Sequence, residues 1–220
     1  MHNFYELVQQ LGRVDRKGTA KPGENTYEIH VDFYSYVSLF VRIMSCDSAD
    51  ERRIQLAQLH EVLKVLLLPE VCYHTSMERK FEWTTYADKI RCGHYCSHCQ
   101  GDVKKFTKRV NKEGLQSLLT KKVQGEADKV PVREFLKAMK RERKAIFHRD
   151  DVPPMTNQSQ IHAVCLQMVA GGLVTLKVKD ATKVGTKKLN GAHLCVVCPN
   201  TKYAEDGNTL CAPAYVRDEC

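Results

Sequence analysis

The chain has 220 residues, 34 Lys and Arg against 26 Asp and Glu, and a formal net charge of +8. At 43% hydrophobic and 27% charged it has the composition of an ordinary globular protein, long enough for one to three domains. No apolar run approaches the roughly 18 residues that a membrane-crossing helix needs. The stretch Val62 to Leu68 is interrupted by Lys64 and ended by Pro69, and Met1 to Phe4 do not begin a basic-then-apolar leader. Neither a membrane partner nor a secretory signal is therefore expected, and the ten cysteines then favour metal binding over cross-linking.

The excess charge is concentrated. Residues 101–150 hold 15 Lys and Arg against 7 Asp and Glu, a net +8, while the other 170 residues hold 19 of each. Such a block suits a polyanion, nucleic acid first. A pair of solvated basic helices is the plainer alternative.

In chain order, a Gly/Pro-punctuated loop (Gly18 to Gly23) precedes Thr26 to Phe33. There Tyr27, Ile29, Val31 and Phe33 alternate with polar residues, which predicts a half-buried strand. Residues 34–46 read as helix. A second helix is expected over 49–68, with Leu56, Leu59, Leu63 and Leu66 on one stripe, Asp50 and Glu51 at its start and Pro69 as its stop. Residues 70–100 hold a short helix and a cysteine cluster.

Residues 102–147 read as basic and helical. Over 132–147 one face carries Val132, Phe135, Leu136, Met139, Ile146 and Phe147, and another carries Lys137, Lys140, Arg141 and Lys144. Residues 149–156, with Pro153 and Pro154, read as a linker. A helix follows from 157 to the Gly171–Gly172 stop. A strand comes next over 173–179, then a turn rich in Lys, Gly and Asn, then a second β-like run over 192–198. Helix, strand, turn and strand in that order suggest a winged helix.

Cys92, Cys96 and Cys99 are spaced C-x3-C-x2-C, with Cys72 twenty residues upstream. Four thiolates from two arms can enclose Zn²⁺ tetrahedrally, at Zn–S distances of about 2.3 Å. A closed four-sulfur site leaves no position for water, so the metal would be structural. His94 and His98 compete as ligands, and buried cysteines in a core are the simpler alternative. Cys195 and Cys198 form a second C-x2-C, with Cys211 and Cys220 downstream, but they sit in an apolar strand-like run and fit buried strand residues better than a second site.

Gln9 to Gly18 read Q-x-x-G-R-x-x-R-x-G, with Gly12, Arg13 and Arg16 in the pattern. Two guanidinium groups three residues apart suit phosphate oxygens. An arginine that reaches a γ-phosphate stabilises charge developing during ATP hydrolysis. A surface turn with two salt-bridged arginines is the plainer reading.

This string resembles motif VI of superfamily-2 helicases, the RecQ family in particular. The order of features is similar to the C-terminal half of a RecQ helicase: motif VI, a strand and two helices, a lone Cys near the start of a helix, a three-Cys cluster and a winged-helix-like module. The resemblance implies an α+β, mostly helical chain in three parts. Residues 1–46 would end the second RecA-like lobe, 47–104 would form the zinc-binding helical hairpin, and 105–220 the winged helix. It also implies an ATP-dependent DNA helicase with 3′-to-5′ polarity, acting in repair and recombination. Arg16 would be the arginine finger, Arg13 would couple the nucleotide site to the lobe interface, and Gln9 and Gly12 would belong to the same motif. Cys72, Cys92, Cys96 and Cys99 would hold structural zinc. The winged-helix turn over Gly185 to Gly191 would separate the strands, with Lys183, Lys187 and Lys188 near it contacting phosphates.

Several features depart from the family pattern. Asp15 precedes Arg16, Tyr73 and His74 follow the first zinc Cys, and the cluster is one residue longer than the usual C-x2-C-x2-C. The chain has no G-x-x-x-x-G-K-[ST] loop and no DE-x-H box. The ATP- and Mg²⁺-binding N-terminal lobe is thus expected to belong to a longer enzyme, and this chain alone is expected to lack ATPase activity. The alternatives are a non-catalytic, zinc-stabilised DNA-binding protein and a scaffold whose basic helix docks an acidic partner. A DNA-directed role places the chain in the nucleus, with Lys140 to Lys144 as a candidate signal.

Overall fold

The structure, a computed structural model, describes residues 29, 31–80, 97–99, 104–121, 130–178 and 194–197. Among these it is mostly helical with one small antiparallel sheet, the α+β character expected. Helix α1 spans Phe33–Met44. Asp32 caps it, accepting the Ser35 N–H at 2.7 Å, and Phe33, Tyr36, Val37, Phe40, Val41 and Met44 point inward. The expected strand over 26–33 is not found at its described residues: Ile29, Val31 and Asp32 lie outside any ladder and Phe33 opens the helix. The Asp32 carboxylate satisfies an orphan N–H of the first turn, so the alternating pattern gives way to a helix start.

Helix α2 spans Ala49–Leu67, capped by Ser48, whose hydroxyl accepts the Glu51 N–H at 3.2 Å. It is buried on two sides. Leu56, Leu59 and Leu63 join the main core, while Val62 and Val65 pack with Met77 of α3 (Tyr73–Lys80) in a small second one. The short α4 (Phe106–Arg109) and α5 (Lys112–Lys121) follow. Gly114 lies where α5 passes the backbone of Ala145, and a Cβ there would sit 2.0 Å from the Ala145 carbonyl oxygen.

Strand β1 is only Val130–Pro131, and α6 (Val132–Arg141) leaves directly from it. The helix expected over 132–147 is divided. Glu142 (φ −102°, ψ 18°) separates α6 from α7 (Arg143–Ile146), after which Phe147 is extended and bridges Val110. Asn111 N–H to Ile146 O (2.7 Å) and His148 N–H to Arg109 O (3.0 Å) complete that crossing. Residues 149–156 do not form a free linker. Met155 is fully buried in the main core, Lys104 pairs with Asp151, and Arg109 donates to the Asp151 carbonyl at 3.1 Å.

Helix α8 (Gln158–Ala170) begins with a capping box: Asn157 Oδ1 accepts the Gln160 N–H at 2.9 Å, and Gln160 reaches back to the cap. It ends in a Schellman turn, with Leu173 N–H to Met168 O, Gly172 N–H to Val169 O, and Gly172 at φ 67°. That positive φ is where glycine carries no Cβ penalty. Strands β2 (Thr175–Val178) and β3 (Leu194–Val197) pair antiparallel with Leu176 opposite Val196, and β1 pairs on the other side of β3, giving the order β1-β3-β2. Pro131 is tolerated because β1 is an edge strand. One hydrophobic core unites α1, α2, α4 to α8, β1 and β2, with Phe106, Phe135, Met139, Ile146 and Met168 fully buried.

Candidate metal centre and nucleic-acid face

The loop after α2 is held from two directions. Glu70 accepts the Phe106 N–H at 3.2 Å, and Gln167 of α8 donates to the Leu67 carbonyl at 3.1 Å. That loop delivers Cys72 to the start of α3. The Cys72 sulfur accepts the Thr75 N–H at 3.5 Å, while its carbonyl accepts the Thr75 hydroxyl and the Ser76 N–H. The sulfur thus occupies the place of an N-capping oxygen at the start of α3.

Cys99 arrives from the 3-10 turn Ser97–Cys99 and packs against Cys72 in a cluster apart from both cores. Both side chains are buried, 4% and 6% exposed. The two arms are tied by His98, whose Nδ1 lies 2.8 Å from the Val71 carbonyl oxygen, 27 residues earlier. A carbonyl only accepts, so in the neutral ring Nδ1 carries the proton and Nε2 keeps its lone pair. Two sulfurs converging from separate arms, one supported by a backbone N–H, fit the donor set of a structural zinc. Cys92, Cys96 and His94 lie outside the described residues. Without them, the described residues contain no group of three or more metal-ligating side chains.

Lys137, Lys140, Arg141 and Lys144 are all exposed. They do not make one stripe on one helix, because the break at Glu142 puts Lys144 on α7. Lys137 pairs with Glu134 at 3.0 Å and Arg141 with Glu142 at 2.8 Å. Exposed pairs of this kind contribute little and yield readily to a phosphate. A second cationic surface was not singled out from the sequence. Lys105, Lys108, Lys112 and His148 surround a recess of about 760 Å³ whose lining includes a single carboxylate, Glu113. Its sequence signal is the Lys-rich run 104–112 inside the basic block.

Protein-family models, characterised proteins and solved structures give no match to the chain.

The geometry also says which helix does not face a polyanion. Helix α8 carries no Lys or Arg, and eight of its thirteen residues are buried, so it is the hub of the core. Cys165 lies within it, and burial pushes that thiol up to about 12, the behaviour of an inert core cysteine. Cys195 lies on β3 as expected. Gln9, Gly12, Arg13, Arg16, Lys183, Lys187, Lys188, Cys198, Cys211 and Cys220 lie outside the described residues. Among the described residues no helix is long and apolar enough to cross a membrane.

Proposed function

We propose that this chain is the zinc-stabilised, DNA-binding portion of a RecQ-like DNA helicase. The observation that carries the reading is the convergence of Cys72 and Cys99 in a buried pair, with their arms joined by His98 and Val71. Two further features support it. The connectivity from α5 through β1, α6, α8 and β2 to β3, with β3 central, suits a winged helix. Exposed cations of the basic block lie on α6, on α7 and around the recess beside α5, outside the buried α8.

In this reading Cys72, Cys92, Cys96 and Cys99 hold zinc, which fastens the α2–α3 hairpin to the cysteine segment. Lys137, Lys140, Arg141 and Lys144 contact phosphates. They carry no base readout, so binding depends on charge rather than sequence. Arg16 acts as arginine finger and Arg13 couples nucleotide to motion, each against an ATP- and Mg²⁺-binding lobe. The 220-residue chain, which has no G-x-x-x-x-G-K-[ST] loop, binds DNA without hydrolysing ATP.

The test is fluorescence anisotropy with a labelled duplex bearing a 3′ overhang, titrated at several salt concentrations. The expected result is a falling affinity whose log–log slope against salt is clearly negative, about −0.9 for each phosphate neutralised. Changing Lys137, Lys140, Arg141 and Lys144 to Ala weakens binding and flattens that slope. Binding that is absent, or insensitive to salt, overturns the reading.

A further inference from the structure

A groove of about 640 Å³ runs between α1, α6 and the first turns of α8. Its floor is apolar, built of Phe33, Val37, Val132, Leu136 and Ile161. Tyr34 stands on the α1 side and is 63% exposed, the most exposed large hydrophobic side chain described. Its ring is not loose. Tyr34 meets His162 edge-on with centroids 5.2 Å apart, and His162 stacks on Phe33 at 4.6 Å, so the one exposed ring is backed by two buried ones. The α6 side carries Arg133, Lys137 and Lys140, and among the described residues no Asp or Glu lines the groove.

These features specify a ligand. A concave apolar floor beside one exposed ring and a row of cations has the makeup of a helix-docking groove. Arg133, Lys137 and Lys140 stand at i, i+4 and i+7, so the cations repeat along about 10 Å of rim. A partner helix with acidic residues at the same spacing matches that ladder, and its apolar residues one face away reach the floor. A single strand of nucleic acid fits less well. It needs successive stacking platforms, whereas the floor is aliphatic and offers only one exposed ring.

We infer that the groove between α1 and α6 docks an amphipathic helix with an acidic face, its apolar side chains against Val37, Leu136 and Ile161 and its carboxylates on Arg133, Lys137 and Lys140. Lys137 and Lys140 also belong to the nucleic-acid face proposed above, so peptide and DNA exclude one another there. The peptide site itself does not rest on the helicase reading, because it needs only the groove.

The probe is a fluorescein-labelled, acetylated peptide of about 16 residues, with Glu at i, i+4 and i+7 and Leu on the neighbouring stripe at i+1, i+5 and i+8. It is titrated with the full chain. Controls are the same peptide with every Leu changed to Ser, and an oligothymidylate of equal charge. The expected result is saturable binding that falls about tenfold or more without the leucines. Ser38→Trp, an exposed residue lining the groove, blocks the floor and costs a similar factor. Lys140→Glu and Tyr34→Ala, both at exposed positions, each weaken the peptide by several-fold. Circular dichroism melts verify that the variants are folded. Equal binding of the Leu-free peptide, or unchanged binding by folded Ser38→Trp, overturns the proposal. So does an oligothymidylate that binds through the groove and loses affinity in Ser38→Trp. DNA binding that disappears while the peptide still docks refutes only the nucleic-acid reading.

Discussion

His60 makes the fold sensitive to acid, by an amount that follows from its surroundings. It lies on α2, and its Nε2 is buried with no hydrogen-bond partner among the described residues. Burial, and then the Lys64 cation, hold its imidazole down to about 4 from an ordinary 6.5. The folded state therefore refuses a proton that the unfolded chain accepts. Stability from this group is intact above about pH 6.5, is lost as pH falls toward 4, and changes no further below that. At about 1.4 kcal/mol per pKa unit the full loss is about 3 kcal/mol, with roughly 1 kcal/mol gone by pH 6 and about 2 by pH 5. The assay is urea unfolding, followed by far-UV circular dichroism, of the wild type and His60→Leu at about pH 7.5, 6 and 5. Acid release of metal from thiolates is common to both proteins, so their difference isolates residue 60. The His60→Leu chain should gain about 2 kcal/mol on the wild type between pH 7.5 and 5. A difference that stays constant with pH would refute the reasoning.

Other perturbations follow from the packing. Gly114→Ala forces a Cβ against the Ala145 carbonyl oxygen, and overpacking of this kind should cost about 1–3 kcal/mol in urea unfolding. Phe135→Ala empties a fully buried site beneath α6, and a loss of about 3–5 kcal/mol is expected in the same assay. Asn157→Ala removes the capping box of α8, at a cost of about 1 kcal/mol. Lys105→Glu with Lys108→Glu, around the recess beside α5, should weaken DNA at low salt and reduce the salt slope by about 2, measured by anisotropy.

Locally encoded features were legible in the sequence. The Asp50–Glu51 start and Pro69 stop of α2, the Gly171–Gly172 stop of α8 and the strands expected over 173–179 and 192–198 all carry their signal within a few residues. What escaped depends on distant partners. Strand β1 is two residues long, one of them proline, and exists because Val130 meets Val196. The break at Glu142 has no Pro or Gly to announce it, and it lets Phe147 leave the helix and reach Val110. Met155 lies in a proline-flanked stretch that reads as a spacer, yet it fills the core. For the site, cysteine chemistry was enough to suggest that Cys72 and Cys99 belong together. The groove was not legible, because Tyr34 and Lys140 are brought together only by the packing of α1 on α6 and α8.

The pairing of Cys72 with Cys99 is tested most directly by zinc content, measured by atomic emission on the purified chain after dialysis. The prediction is about one zinc per chain. It is lost in Cys72→Ser and in Cys99→Ser, and kept in Cys46→Ser at the end of α1, with the lost-metal variants melting at lower temperature. A chain that purifies without zinc, or that keeps it when both Cys72 and Cys99 are replaced, would contradict the account.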